Sequence, residues 1–220
     1  MKKIAILGST GSIGTSLINI LKKDKKKFRI ELITANNNYR KLIKQAEYFD
    51  IKNIIITDQE SFLITKKILK NKKINIYNNF NSLTKIFKNK KIDYTMGAIS
   101  GFEGLKPILD IIKFTKVIAI ANKESIICGW QLIKKELDKY KVKFIPIDSE
   151  HFSIFSLIAD NKKNNIEKVF ITASGGPFKD LPLNKFKFIK PKDALKHPNW
   201  VMGEKISIDS ATMMNKVFEI

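Results

Sequence analysis

Three groups of residues combine types and spacings that can do chemistry. The first is GSTGSIG at 8–14, with glycines spaced G-x-x-G-x-x-G between an apolar run at 4–7 and a helical pattern. Glycine lets a backbone turn sharply and approach a pyrophosphate, and the N–H groups that open a helix bind anions. The spacing differs from the usual G-x-G-x-x-G, so a tight Ser/Gly turn without a ligand is the competing reading. The second group is Asp148, Ser149, Glu150 and His151. If the apolar strand before them continues, its period of two puts Asp148 and Glu150 on one side, as hard oxygen donors for Mg²⁺ or Mn²⁺. Glu219, from a helix expected to begin near Ala211, is a candidate third ligand; a pair of solvated surface acids is the competing reading. In the third group, Ser174, Ser210, Asn215 and Lys216 offer hydroxyl, amide and ammonium donors to a phosphate. His197 and Trp200, in a Pro-flanked loop, suit a lid over a substrate. Taken alone, His151 and His197 each read as ordinary polar residues.

These residues need a frame. Short β-branched runs at 3–7, 29–35, 53–57, 74–77, 94–98, 117–121 and 143–147 alternate with helical patterns. That alternation predicts right-handed βαβ crossovers and an α/β, Rossmann-like, doubly wound parallel sheet. Ile13, Leu17, Ile20 and Leu21 are expected to form the apolar face of the first helix, with Lys22 and Lys23 at its negative end. Two more strands are expected at 168–172 and 205–208, separated by a long Gly- and Pro-containing stretch that reads as a functional loop. The chain therefore divides into a dinucleotide-binding domain, 1–148, and the first part of an α/β catalytic domain, 149–220. The second strand ends in Ala35, Asn36, Asn37 and Asn38, followed by Tyr39, Arg40 and Lys41. An NAD-selective site usually places Asp or Glu there for the ribose 2′-OH. With no carboxylate present, NADP is favoured, Asn36–Asn38 serving as donors and Arg40 or Lys41 as counter-charge.

Composition narrows the classes. A 220-residue chain that is 44% hydrophobic can bury a core, which excludes wholesale disorder and a disulfide-stapled mini-protein. The single cysteine, Cys128, excludes an intrachain disulfide and fits a reducing cytoplasm. No apolar run approaches the ~20 residues of a membrane span, and no targeting segment is visible. A net charge of +20 suggests an anionic partner, yet of the 41 basic residues only Arg29 and Arg40 are arginine. Nucleic-acid readers lean on the arginine fork. The spread-out lysines read instead as compositional bias, with a basic nucleic-acid binder as the competing class.

GSTGSIG at 8–14, ANKES at 121–125, PIDSEH at 146–151, SGGPF at 174–178 and HPNW-x-MG-x-KI-x-IDSATMMNK at 197–216 occur in the order and spacing of one family. Across its whole length the chain resembles the 1-deoxy-D-xylulose 5-phosphate reductoisomerases of the non-mevalonate isoprenoid pathway. The resemblance implies isomerisation of 1-deoxy-D-xylulose 5-phosphate and reduction by NADPH to 2-C-methyl-D-erythritol 4-phosphate, with Mg²⁺, Mn²⁺ or Co²⁺. It implies Asp148, Glu150 and Glu219 as metal ligands, and Lys123, Ser149 and Glu150 around the reacting carbons. Ser174, Ser210, Asn215 and Lys216 would bind the phosphate, His197 would close from a loop, and Trp200 would cover the small phosphorylated sugar. Thr10, Gly11, Ser12, Ile13, Asn36, Asn37, Asn38, Asn122 and Glu124 would line the cofactor, with Met202 and Gly203 near its nicotinamide. Two positions depart from the family pattern: Asn37 stands where a basic residue is frequent, and Val217 where a glycine usually follows MMNK. The resemblance also implies a full-length homodimer without membrane or nucleic-acid partners. It places the rest of the catalytic sheet and a helical domain beyond the last residue, so that an isolated chain is expected to be aggregation-prone or inactive. Another NAD(P)-dependent oxidoreductase, of aspartate-semialdehyde or homoserine type, is the neighbouring reading, but its catalytic set finds no match around Cys128.

Overall fold

The computed structural model describes residues 1–88, 90–159, 166–199, 201 and 203–219, which form two compact units, Met1–Asp148 and Ser149–Ile220. The first unit runs β1 (Lys2–Leu7), α1 (Ser12–Lys23), β2 (Phe28–Ala35), α2 (Tyr39–Phe49), β3 (Asn53–Ile56), α3 (Gln59–Ile68) and β4 (Asn75–Tyr77). It continues with α4 (Leu83–Phe87), β5 (Tyr94–Gly97), α5 (Leu105–Ile112), β6 (Val117–Ile120), α6 (Lys123–Tyr140) and β7 (Lys143–Pro146). The seven strands pair in parallel in the order β4-β3-β2-β1-β5-β6-β7, and each lies within one residue of its expected ends. The sheet is thus the doubly wound one expected. Its winding reverses between β1 and β5, which opens a crevice beyond their carboxyl ends.

The period of two sorts the strand residues into two cores. Ile4 and Ile6 of β1 join Ile54 and Ile56 of β3 beneath Ile18 and Leu21 of α1 and Leu42 of α2. Ala5, Leu7 and Ile55 face the opposite layer, with Ile108 and Ile111 of α5 and Ile133 and Leu137 of α6. Because both faces are covered, the central strands read as continuous apolar runs. An irregularity between Ile4 and Ala5 shifts the β1–β2 register past Glu31, whose buried carboxylate meets Arg29 Nε at 3.0 Å.

The buried face of α1 differs in part from the expected one. Leu17 and Leu21 pack inward as expected and are joined there by Gly14 and Ile18, whereas Ile13 and Ile20 are exposed. The reason is contact at Gly14, where an added Cβ would meet Gly8 O and would lie 2.6 Å from Ser9 Cα. The helix therefore turns its glycine toward the β1–α1 turn. Lys22 and Lys23 do occupy its last turn.

The second unit contains α7 (Ser149–Ala159), a 3₁₀ segment Leu183–Phe188, α8 (Pro191–Ala194), α9 (Glu204–Ala211) and α10 (Met214–Val217). Neither strand expected here forms. Residues 168–172 have no ladder partner among the described residues, and Phe170 is 81% exposed. Residues 205–208 are helical: Gly203 O accepts from Ser207 Oγ at 3.2 Å, and Lys205 pairs with Asp209 at 2.7 Å. The alternation of isoleucine there does not mark a sheet face, because Ser207 and Ser210 are buried while Ile206 and Ile208 are exposed. The helix expected from Ala211 is the last turn of α9 followed by α10.

Gly14→Ala tests the backbone contact. Alanine at a helical position normally gains about 1 kcal/mol over glycine. Here the forced shift is expected to outweigh that gain and cost about 1–3 kcal/mol net. A lower urea midpoint at unchanged slope is the expected result; an equal or higher midpoint would contradict the close approach.

Candidate active site

The crevice at the winding reversal is a cleft of about 490 Å³. Gly8, Thr10 and Gly11 form one wall, Thr34, Ala35 and Asn36 at the end of β2 a second, and Ala98, Ile99 and Ser100 after β5 a third. Gly8 has φ +80°, a conformation few residues other than glycine adopt, and a Cβ there would lie 2.6 Å from Ala98 O. The turn is fixed from β2 by Gly8 N donating to Thr34 Oγ1 at 2.9 Å and Ser9 N donating to Thr34 O at 2.9 Å. Asn38, Asp58 and Asn122 accept from the first turns of α2, α3 and α6. By contrast the N-cap of α1, Gly11, makes no side-chain cap, and Gly11 itself lines the cleft.

Of the expected cofactor residues, Thr10, Gly11 and Asn36 line this cleft. Ser12 and Ile13 open α1 on its exposed side. Asn37 O accepts from Ser61 Oγ of α3 at 3.1 Å, and Asn38 Oδ1 accepts from Lys41 N at 3.2 Å, so Asn37 ties the β2–α2 connection to α3 and Asn38 caps α2. Asn122 is 4% exposed and acts as a clamp: its amide donates to Ile99 O at 2.5 Å and Gly101 O at 2.6 Å while its oxygen caps α6 through Ser125 N at 2.8 Å. Glu124 occupies the first turn of α6. Sequence reasoning missed the lining from Asn78, Asn79, Phe80 and Asn81 and from Glu103 and Lys106. The available signal was topological, since loops at the carboxyl ends of β4 and β5 border the crevice.

At the end of the first unit, Lys123 Nζ lies 2.6 Å from Asp148 Oδ2, and the Asp148 side chain is only 6% exposed. Strand β7 stops at Pro146, so Glu150 stands in the first turn of α7 and not on a continued strand. Within the second unit, Lys216 donates to Glu150 Oε1 at 2.6 Å, Glu219 Oε2 at 2.5 Å and Thr172 O at 3.0 Å. Ser149 Oγ donates to Glu150 Oε2 at 2.6 Å. Partial burial pushes the Glu150 carboxyl up, but the Lys216 and Ser149 hydrogen bonds outweigh it and hold the group below its ordinary value. Burial likewise pushes the Lys216 ammonium down, and the two carboxylates more than reverse this. Lys216 thus joins the carboxylates, while Ser174 Oγ meets His197 Nε2 at 3.0 Å and Ser210 Oγ at 3.4 Å. His197 Nδ1 accepts from Asn199 N at 3.1 Å, so both ring nitrogens have a polar neighbour. Gly175 and Gly176, at φ +82° and +65°, turn the backbone after Ser174; a Cβ on Gly176 would lie 2.7 Å from Ser210 O. Gly203 caps α9, and Asn215 lies in α10. Trp200 and Met202 fall outside the described residues.

A glycine turn on an uncapped helix at the winding reversal of a doubly wound parallel sheet defines a Rossmann-like α/β chain. Sequence and structure comparisons then specify the family. The 1-deoxy-D-xylulose 5-phosphate reductoisomerase profile matches residues 4–129, and the profile of that enzyme's C-terminal domain matches 144–220. The chain belongs to the 1-deoxy-D-xylulose 5-phosphate reductoisomerase family. It is 71% identical to the enzyme of Pelagibacter ubique and 41% identical to that of Bacteroides thetaiotaomicron, covering all of this chain and 57% and 56% of those relatives. The chain spans little more than half their length. The Zymomonas mobilis enzyme in complex with NADPH superposes with a TM-score of 0.88 at 33% identity, over 99% of this chain and 56% of that one. A DOX-P reductoisomerase in complex with NADPH, fosmidomycin and magnesium superposes at 0.85 with the same identity, over 100% and 56%.

Asn122→Ala removes the cap of α6 and leaves two loop carbonyls without their donor. It is expected to destabilise the chain by about 2–3 kcal/mol. Asn122→Asp keeps the cap but sets an anion against both carbonyls, and is expected to recover none of that loss. Urea unfolding of both variants checks this, and a wild-type midpoint in either would contradict the clamp.

Proposed function

We propose that this chain supplies the NADPH cleft and the divalent-metal carboxylates of a 1-deoxy-D-xylulose 5-phosphate reductoisomerase, which forms 2-C-methyl-D-erythritol 4-phosphate. The observation that carries the reading is the glycine turn at 8–14, which opens an uncapped helix onto a cleft at the sheet's winding reversal. Bound in that cleft, NADPH supplies hydride, with Gly11 and the first N–H groups of α1 holding its pyrophosphate. Asn122, Glu124 and Gly203 remain assigned to the cofactor.

The donor chemistry fits a hard cation. Glu150 and Glu219 are carboxylates close enough to share one ammonium, and Asp148 stands two residues before Glu150. A metal held by these three polarises the substrate carbonyl when bound. Lys123 and Ser149 hold Asp148 and Glu150 through the contacts described above and are assigned to the reacting carbons. Ser174, Ser210, Asn215 and Lys216 are assigned to the phosphate. Ser174 Oγ already meets both His197 Nε2 and Ser210 Oγ, which gathers the three side chains at one place. Trp200 keeps its assignment as the substrate cover.

The same reading carries a small phosphorylated sugar as substrate, a homodimer of the full-length enzyme and a cytoplasmic location. It takes the basic charge as compositional and not as a nucleic-acid surface. Among the described residues no helix is long and apolar enough to cross a membrane. The neighbouring reading as another NAD(P)-dependent oxidoreductase has no site residue in its favour, whereas an inactive isolated chain is an outcome of the test below.

Absorbance at 340 nm is expected to fall only with both 1-deoxy-D-xylulose 5-phosphate and Mg²⁺ or Mn²⁺ present, for the chain or for a version extended to the length of its relatives. Asp148→Ala and Glu150→Ala are each expected to lower that rate at least about 100-fold. Full rates in either variant would contradict the metal assignment. Activity restricted to the extended version would leave an isolated 220-residue chain as an inactive portion.

A further inference from the structure

Helix α2 reaches the glycine turn through two side chains one helical turn apart. Gln45, buried, exchanges two hydrogen bonds with Ser9: it accepts from Ser9 Oγ at 2.7 Å and donates to Ser9 O at 2.9 Å. Both polar atoms of its amide are engaged within the protein, so it acts as a tie. Lys41 differs. Its ammonium donates to Thr10 O at 3.0 Å, and an ammonium has three donors, of which the turn uses one.

Thr10, in the glycine turn, and Asn36, just after β2, line the same cleft, and the end of β2 is the side on which a doubly wound fold holds the adenosine ribose. The chain there, Ala35 to Asn38, contains no carboxylate to accept a 2′-hydroxyl or repel a phosphate. Arg40 stands one residue nearer to this end in sequence, but its guanidinium lies over its own neighbour, with Cζ 5.7 Å from the Tyr39 ring centroid. Only Lys41 of the two makes a described hydrogen bond to the glycine turn.

We propose that Lys41 is the specificity-determining residue of the cleft: its ammonium, anchored on Thr10, binds the 2′-phosphate and sets the preference for NADPH over NADH. The proposal rests on the reading of the cleft as an NADPH site. It separates two roles that one helix combines: Gln45 spends both polar atoms on the turn on which either cofactor depends, whereas Lys41 spends one donor on Thr10 O and has two more for the group that distinguishes them.

Direct titration of NADPH and of NADH into the wild-type chain, followed by nicotinamide fluorescence or calorimetry, provides the test without turnover. Wild type is expected to bind NADPH at least about tenfold more tightly than NADH. Lys41→Met is expected to weaken NADPH about 10- to 100-fold, the range of one or two charge-assisted hydrogen bonds, and to leave NADH within about twofold. Lys41→Arg is expected to retain the preference, Arg40→Met to stay within about twofold for both cofactors, and Gln45→Ala to weaken both by a common factor. An unchanged NADPH affinity in Lys41→Met, a loss of both cofactors together in that variant, or a selective loss in Arg40→Met would each overturn the assignment while leaving the cleft an NADPH site. Failure of wild type to bind either cofactor would overturn the cleft reading itself, and this assignment with it.

Discussion

The structure depends on one close approach of backbone to backbone, where the end of β1 passes the end of β5. Gly8, in a left-handed conformation, sits against Ala98, and Gly14 brings α1 down onto Gly8 and Ser9. No side chain fits between these segments. The contact is what allows α1 to begin close against the end of β1, with its N-cap Gly11 at the crevice. Thr34 holds the turn from β2 and Gln45 holds it from α2, while Asn122 fixes the facing loop after β5 onto α6. Each wall of the cleft is therefore fixed by a buried polar group that has its partners, the condition under which buried polarity stabilises a structure instead of costing it.

Electrostatics act locally here despite the charge of +20. Many lysines form exposed helix-surface pairs, such as Lys106 with Asp110 and Lys134 with Asp138, which contribute about 0.3–0.5 kcal/mol each. Lys123 with Asp148, and Lys216 with Glu150 and Glu219, are different in kind. Their carboxylates are largely shielded from water, so each would be costly to leave uncompensated.

Much of the first unit was legible in the sequence because its strands are covered on both faces. A continuous β-branched run such as Asn53–Ile56 has few alternatives to a central parallel strand. The glycine turn was legible for a similar reason, since its spacing answers a steric demand. On α1, Leu17 and Leu21 were read correctly but Ile13 and Ile20 were not, because apolar spacing alone could not reveal that Gly14 must face inward. In the second unit, alternating isoleucines at 205–208 imitated a strand, yet the buried side of α9 is made of Ser207 and Ser210. Glu150 was expected on a continued strand and stands instead at the start of α7, because β7 ends at Pro146. The lining from Asn78 to Asn81 could not be read locally, as it follows a short edge strand and joins the cleft only through sheet order. Asn122 was recognised as part of a motif, but its role as a clamp on Ile99 and Gly101 depends on residues about 20 positions away.

The central claim is that the turn at 8–14, held from β2 and α2 against the end of β5, is where a dinucleotide binds. Amide hydrogen exchange of the chain with and without saturating NADPH tests it most directly. Slowed exchange at residues 9–14 and 98–101 is the predicted result. Unchanged exchange at 9–14 under conditions where NADPH is bound would contradict it.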